Sequence, residues 1–588
     1  MTTTTFAHQG ELPRLPIPQL HDTIRRYLVS VAPLLSPEEF QATAMKCLEF
    51  MAPGGVGETL QARLVQRAKD KGDSSWLIDW WRHYAYLAFR MSVVINVSYF
   101  YQFRDTDRKG CTTQVGRAAE LALGVAAFRD RLATGTLPPD MAGKSPLCMS
   151  MYRYIYNTCR VPAPDRDEVR SFELRGNTDI LVVRKNRFFV VNLGEADARI
   201  GKLELETHLN SVIQAADALP SVPPVGVLTG ANRDLWAEAL PHLLDDPTNK
   251  ASFSALASTM FALCLDTEAP AEPVEVARMF LHGNGRNRWY DKSMQFIVLG
   301  NGKAGMLGEH SMSDGMPTAA ACNWILAGLD KGAVPMAGVH VADRPPPRRL
   351  DFVVTPTVQR YMARAGAEFD AMIADHSVAC LNFDTYGREA IKGFKLSPDA
   401  FAQMAIQLAY YRTFGRVRGT YEPAHTRKFL HGRTECIRVA TSDVVAWVKS
   451  MGDAGVGRAE KRALLGAAVK THSGLTRAAL QGQGVDRHLF GLKRLVGAEE
   501  PTPALFEDPA FATSSTWAVS TSNLTSEHFE NWGWGEVVPD GIGVAYSTLK
   551  HRLQFNVTAL NATNPAKFVA NLRQALLDMA TVCTASRL

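Results

Sequence analysis

The chain has 588 residues, 46% of them hydrophobic and 21% charged, with a formal net charge of +5. That length exceeds one ordinary core and predicts two domains, or two large lobes closing on a cleft. The composition excludes a disordered or repetitive chain, and the dispersed Lys and Arg residues exclude a dedicated nucleic-acid binder.

The nine cysteines (Cys47, Cys111, Cys148, Cys159, Cys264, Cys322, Cys380, Cys436 and Cys583) form no Cys-x-x-Cys pair. They are too sparse for a disulfide framework and imply a reducing compartment. The most apolar early stretch, residues 85–101, is interrupted by Arg90 and Asn96. It falls short of the roughly 18 apolar residues that a spanning helix needs, so a soluble chain is expected. The N-terminus has neither a signal core nor the repeated arginines of a transit peptide. At the other end, Ser586, Arg587 and Leu588 form a conservative variant of the Ser-Lys-Leu peroxisomal address. Sequons at Asn96, Asn556 and Asn561 need a secretory route, of which the sequence gives no sign.

In chain order, residues 36–50 and 60–71 carry apolar side chains at helical spacing, and residues 76–90 form an aromatic-rich helical stretch. From Thr178, short β-rich segments at 180–183, 188–191 and 225–228 alternate with helical stretches such as 206–218, which predicts a mixed α/β lobe. Pro345, Pro346 and Pro347 can continue neither a helix nor a central strand, and mark the crossing between lobes. A helix follows over 397–411, with Ser397 as N-cap, Pro398 at the first helical position and Asp399 in the first turn. Strands are expected at 543–546 and 552–560, and a closing helix at 565–580.

Residues 293–310, SMQFIVLGNGKAGMLGEH, read as two apolar runs around an Asn301-Gly302 hairpin signal, delivering Glu309 and His310 at the second strand's end. A histidine there faces whatever lies beyond the sheet edge. Asp314, four residues on, can orient the imidazole or neutralise a neighbouring cation. The pair alone is not specific, because His242 and Asp246 repeat the spacing; a structural histidine at a hairpin exit is the competing reading. Only His310 is preceded by the hairpin and by NRWYDK at 287–292.

In order, NRWYDK, EHSMSDG (309–315), KLSPDAFAQMAIQLAYYR (395–412), GRTECIR (432–438), DRHLFGLK (486–493), STS (520–522) and VVPDGIGVAY (537–546) resemble the choline/carnitine acyltransferase family, and the similarity runs from LPRLP (12–16) to ALLDM (575–579). The resemblance implies an α/β fold of two similar coenzyme A-dependent acyltransferase lobes, like chloramphenicol acetyltransferase, facing each other across a tunnel. It implies an N-terminal helical segment (1–60) packed on the C-terminal lobe, a lobe carrying the histidine (61–345), and a lobe carrying the coenzyme A and carnitine sites (346–588). His310 then matches the general base, with Asp314 beside it. An imidazole with a reference pKa of about 6.5 suits that role, moving a hydroxyl or thiol proton without an acyl-enzyme. The tetrahedral oxyanion needs a donor, for which the resemblance offers Ser520, Thr521 and Ser522, with Ser522 as the stabilising hydroxyl.

Coenzyme A carries phosphates. Arg388 and Lys392, four apart before the capped helix, match family lysines, and Asp399 and Asn523 match further coenzyme A contacts. The chain departs from the family at Ser473, where many members have arginine. A buried carboxylate needs a cation and donors, and Tyr421, Thr434 and Arg487 match the groups that hold that of carnitine. Choline-using relatives typically lack the arginine and threonine. Pro423 stands where carnitine enzymes commonly have serine. Trp532 matches the residue that sets acyl-pocket depth, and its bulk favours short acyl groups, although residues 95–100 resemble longer-chain relatives. The resemblance therefore implies reversible acyl transfer, acetyl favoured, between coenzyme A and L-carnitine. Its alternatives are a medium- or long-chain carnitine enzyme, a choline acetyltransferase, and an inactive relative that binds acyl-CoA or acylcarnitine. Neither a permanently bound cofactor nor a metal is expected, coenzyme A being a substrate. The expected state is a monomer in a peroxisome-like organelle or the mitochondrial matrix.

Overall fold

A computed structural model describes residues 5–584, so the Ser586, Arg587 and Leu588 address lies outside the described residues. The chain opens on three helices, Leu20–Val31, Pro37–Phe50 and Val56–Asp70. The second starts on a capping box, in which the Ser36 hydroxyl accepts from the Glu39 N–H and the Glu39 carboxylate accepts from the Ser36 N–H. Ile24, Tyr27, Phe50, Leu60 and Leu64 share an apolar cluster with Val485, Leu489, Leu492 and Phe506, which ties the first helices to a region far along the chain.

The aromatic stretch that follows is not a plain α-helix. Ile78–Trp80 passes into a π-helical turn, Trp81–Leu87. The wider turn presents carbonyls sideways: Arg160 donates to Tyr86 O at 2.8 Å and the Asp167 N–H to Leu87 O at 2.9 Å.

Eight strands form the first sheet, in the order Arg348–Leu350, Arg187–Asn192, Asp179–Arg184, Ala262–Leu265, Met294–Val298, Ala304–Gly308, Tyr99–Phe103 and Phe529–Gly533. Both its faces are buried, as its near-continuous apolar strands require. Gln114–Ala133, Lys202–Ala218 and Gly315–Asp330 cover one face, and Arg233–Leu244, Pro247–Ser258, Pro273–Leu281 and Pro356–Asp375 the other. Residues 225–228, expected as a strand, instead lie in a buried 3-10 helix, Val225–Gly230. Periodicity cannot separate a short apolar run of either type. Here Pro223 and Pro224 start the turns, and a Cβ on Gly226 would sit 2.2 Å from Arg288 O, so this segment packs too closely for a paired strand. The second His-x-x-x-Asp is structural: Asp246 caps the helix Pro247–Ser258, and His242 stacks on Tyr361.

NRWYDK is a buried clamp. Arg288 forks onto Asp266 at 2.6 and 2.7 Å, Lys292 donates to the carbonyls of Ala257 and Thr259, and Asp291 pairs with Arg233 at 2.9 Å. Arg233 reaches Asp167 at 2.6 Å, and Asp167 also accepts from Arg160 at 2.7 Å and Arg90 at 2.9 Å.

The second sheet has six strands, His376–Phe383, Leu553–Leu560, Ile542–Thr548, Val519–Asn523, Thr420–His425 and Thr434–Arg438, with helices Pro398–Phe414 and Pro565–Cys583 packed on it. Ser397 caps the first of these helices, and Gly415, at φ 71°, takes the left-handed conformation that ends it. The two sheets share a connection. Phe529–Gly533 leaves the second half of the chain and pairs with Tyr99–Phe103, setting Trp532 opposite Tyr101.

Asp167→Ala should strip a fully buried carboxylate from Arg160 and Arg233, whose side chains are also fully buried. Arg160 keeps Glu309 and Arg233 keeps Asp291, but each loses one of its two buried partners, and breaking a buried pair costs about 3–5 kcal/mol. A urea titration followed by circular dichroism should show a clearly lowered first transition.

Candidate active site

His310 lies in the irregular segment between the strand Ala304–Gly308 and the helix Gly315–Asp330. Its ring stacks on Tyr86 at 5.1 Å and 14° and meets Tyr99 edge-on at 5.1 Å. The backbone on either side is held from behind. Glu309 accepts from Arg160 at 3.0 Å and from the Ser311 N–H and hydroxyl, so the Asp167 cluster fixes the turn that carries the histidine.

Asp314 does not hydrogen-bond to the imidazole. Its Oδ1 is 3.9 Å from His310 Nδ1, and the carboxylate pairs with Arg433, whose Nε and Nη2 lie at 2.9 and 2.8 Å. Of the two roles open to Asp314, neutralising a cation is the one its contacts fit. Arg433 also donates to Ser311 O at 2.9 Å and His310 O at 3.2 Å. Burial pulls the His310 pKa below its usual value and outweighs the upward pull of Asp314. For Asp314, burial acts upward, but Arg433 and His310 overcome it and hold the carboxyl below the usual range.

The ring borders a cavity of about 470 Å³ between the two sheets, lined by Tyr86, Tyr99, Tyr101, His310, Tyr421, Pro423, Thr434, Ser520, Ser522 and Trp532 among others. On one side of it, Arg487 donates to the Tyr421 hydroxyl at 3.1 Å, the Thr434 hydroxyl at 3.3 Å and Thr434 O at 2.9 Å. The guanidinium lies 3.8 Å over Trp81, and Arg487 as a whole is 7% exposed. Three residues far apart in sequence thus form one group, because Tyr421 and Thr434 lie on paired strands and Arg487 on the adjoining helix Asp486–Lys493.

The strand Val519–Asn523 supplies the hydroxyls. Ser520 and Ser522 share a face by strand alternation. The Thr521 hydroxyl is committed elsewhere, donating to Tyr421 O at 2.8 Å and accepting from Gln403 at 2.8 Å. Trp532 donates through Nε1 to Tyr546 O at 3.2 Å and packs beside Trp534, closing one wall.

The residues expected to hold coenzyme A divide in two. Asn523 donates to Asp399 at 2.9 Å, inside a polar cluster where the single Tyr546 hydroxyl lies 2.7 Å from Asp399 and 2.8 Å from Glu422, and His472 pairs with Glu422 at 2.7 Å. Asp399, Glu422 and His472 bring donor atoms within 4.8 Å of one another, a spacing a metal ion could use, though each already holds a hydrogen bond here. Arg388, half-buried, and Lys392, exposed, stand apart on the short helix Arg388–Gly393 and share Glu389 at 3.5 and 3.2 Å. Ser473 turns its hydroxyl back to Val469 O.

Sequence reasoning missed Tyr86, Tyr99 and Arg433. Arg433 sits inside the GRTE segment, and Tyr86 inside the aromatic stretch, but no spacing rule ties either to a histidine more than a hundred residues away.

Comparison with known proteins supplies the last observation. The family model of Choline/Carnitine o-acyltransferase matches residues 15–574. Carnitine O-acetyltransferase of Mus musculus is 37% identical over 98% of this chain and 94% of its own, and the mitochondrial carnitine O-acetyltransferase of Saccharomyces cerevisiae is 33% identical over 97% and 86%. Choline O-acetyltransferase of Danio rerio is 32% identical over 97% of this chain and 93% of its own. A match of this extent, on a chain that gathers His310, the Ser-Thr-Ser strand and Tyr421 and Thr434, the partners of Arg487, around one cavity, means that the protein belongs to the choline/carnitine O-acyltransferase family.

Proposed function

We propose that the protein is a carnitine O-acetyltransferase, moving a short acyl group reversibly between coenzyme A and the hydroxyl of L-carnitine. The observation that carries this reading is the buried Arg487, whose hydrogen bonds go to the hydroxyls of Tyr421 and Thr434 and to a carbonyl. A buried cation beside two hydroxyls suits a carboxylate ligand, which carnitine has and choline lacks.

Carnitine bound there has its hydroxyl at His310. Neutral imidazole, with its proton on Nδ1, accepts the hydroxyl proton at Nε2. The carnitine oxygen attacks the thioester carbonyl, and the Ser522 hydroxyl donates to the resulting oxyanion. Collapse breaks the carbon–sulfur bond, and the imidazolium returns its proton to the leaving thiolate. Asp314 acts as a positioning residue, holding Arg433 and through it the carbonyls of His310 and Ser311. Asp399 and Asn523 face the pantetheine side, and Arg388 and Lys392 attract the phosphates from the surface. Trp532 limits the acyl pocket to short groups. The lobes meet after the prolines at 345–347, the first carrying the base and the second both substrate sites. A monomer in a peroxisome-like or mitochondrial matrix completes the reading, the terminal Ser-Arg-Leu supporting the former.

Thiol release from acetyl-CoA should depend on L-carnitine and be negligible with choline, and His310→Ala should lower it by about 10²–10⁴-fold. Choline-dependent release would make the protein a choline enzyme, and ligand binding without turnover would make it a binding protein.

The acid limb of kcat/KM should lie below pH 6.5, because burial depresses the His310 pKa and the neutral ring is the active form. Rate is therefore retained as pH falls to 6.5 and lost below it. Asp314→Asn removes an upward influence and should move that limb lower still; a shift to higher pH would contradict the assignment.

Trp532→Gly should open the wall beside Tyr101 and raise the octanoyl-to-acetyl ratio of kcat/KM by ~10-fold or more. An unchanged chain-length profile would place the limit elsewhere.

A further inference from the structure

A second cavity of about 410 Å³ adjoins the first, sharing Phe89, Asn96 and Val537 with it. Its walls are mostly apolar, with Met91, Phe369, Met372 and Leu560 among them. Two carboxylates interrupt them. Glu368 is neutralised, accepting from Arg364 at 2.8 Å and Asn232 at 2.9 Å. Glu536 is different. It is 5% exposed, its Oε1 meets His376 Nε2 at 2.8 Å, and its Oε2 is buried with no hydrogen-bond partner. A buried carboxylate oxygen costs several kcal/mol less when a cation approaches it. Burial pulls the His376 pKa down, but Glu536 holds it above its usual value, so His376 answers Oε1; among the described residues no hydrogen-bond partner reaches Oε2, and the surrounding surface favours a ligand that is apolar as well as charged.

A quaternary ammonium has that chemistry: it carries a positive charge with no N–H to donate, spread over methyl groups that prefer aromatic and thioether surface. We infer that this cavity is an entry vestibule that binds the trimethylammonium end of carnitine and acylcarnitine, with Glu536 as its counter-charge and Phe89 and Val537 forming the threshold to the catalytic cavity. The inference rests on the carnitine reading above and extends it to how the substrate is captured. A cation held at Glu536 trails the molecule, so the carboxylate leads through the threshold toward Arg487.

The test is steady-state kinetics on the full chain, with Glu536→Gln and Met91→Lys. Met91 is 57% exposed at the rim, so a lysine there adds a repelling charge without disturbing the core. Both substitutions should raise the KM for L-carnitine about five- to tenfold, the effect of one lost or opposed charge contact, with kcat and the KM for acetyl-CoA within about twofold of wild type. An analogue with a tert-butyl group in place of trimethylammonium should show no such penalty. An unchanged carnitine KM in both variants overturns the vestibule, as does a penalty that persists with the uncharged analogue, which would be structural. A changed acyl chain-length profile would make the cavity an acyl site instead. If wild-type protein shows no carnitine-dependent turnover, the functional reading fails. Saturation-transfer NMR with tetramethylammonium then still tests the site: a signal weakened in both variants supports it, and a signal absent or equal in all three proteins removes it.

Discussion

Everything at the centre of this molecule depends on one buried ion pair, Asp314 with Arg433. Asp314 ends the segment that leaves the first sheet, and Arg433 immediately precedes the strand Thr434–Arg438 of the second. The same guanidinium holds the carbonyls of His310 and Ser311, so the histidine's backbone is fixed by the opposite half of the chain. The next residue, Thr434, is bonded to Arg487. A shift of one sheet against the other would therefore pull the imidazole away from the group proposed to hold its substrate. A pair this buried is a poor source of net stability, because desolvation offsets most of its attraction. Its worth lies in alignment, where an error of an ångström is costly.

A second constraint comes from behind the site. The π-helical turn at Trp81–Leu87 places Tyr86 on the face of His310, and the carbonyl of Tyr86 is held by Arg160, which also holds Glu309. One arginine thus positions both neighbours of the imidazole ring. It is buried and answered by Asp167, which also answers Arg233 and through it the NRWYDK clamp. The motif thus connects, through Arg233, Asp167 and Arg160, to Glu309 beside the histidine.

These connections explain what could be read from the sequence. The hairpin before His310 was legible because Asn-Gly turns and apolar runs are local signals, and so was the capped helix at Ser397. The Arg487, Tyr421 and Thr434 group was legible only through family resemblance, since its members meet across a β-hairpin and a separate helix. The partner of Asp314 was not legible: spacing suggested His310, four residues away, whereas Arg433, more than a hundred residues on, is the residue in contact. Residues 225–228 misled for a related reason. A run of Val, Gly and Leu states that a segment is buried, but tight packing against Arg288 decided what form burial took. Thr521 shows the reverse case: strand alternation alone separates its hydroxyl, which is committed to Gln403 and the Tyr421 carbonyl, from those of Ser520 and Ser522.

The distribution of charge bears on the chemistry. Buried charges around His310 and Arg487 differ in how they are met: Asp314 and Arg433 satisfy each other, whereas the Arg487 side chain donates to hydroxyls and a carbonyl, with nearby Glu435 pushed up to about 7 by burial. Placing a net positive group on one side of a cavity whose base is held neutral avoids two costs at once. A protonated imidazole would repel nearby Arg433, and a paired Arg487 would have to break a salt bridge before binding an anion. Burial, which lowers the affinity of His310 for protons, keeps the ring in the form that can accept one. The direct transfer proposed above requires no charged protein nucleophile, and the cavity wall can stay largely aromatic, with Tyr86, Tyr99, Tyr101 and Trp532 in it.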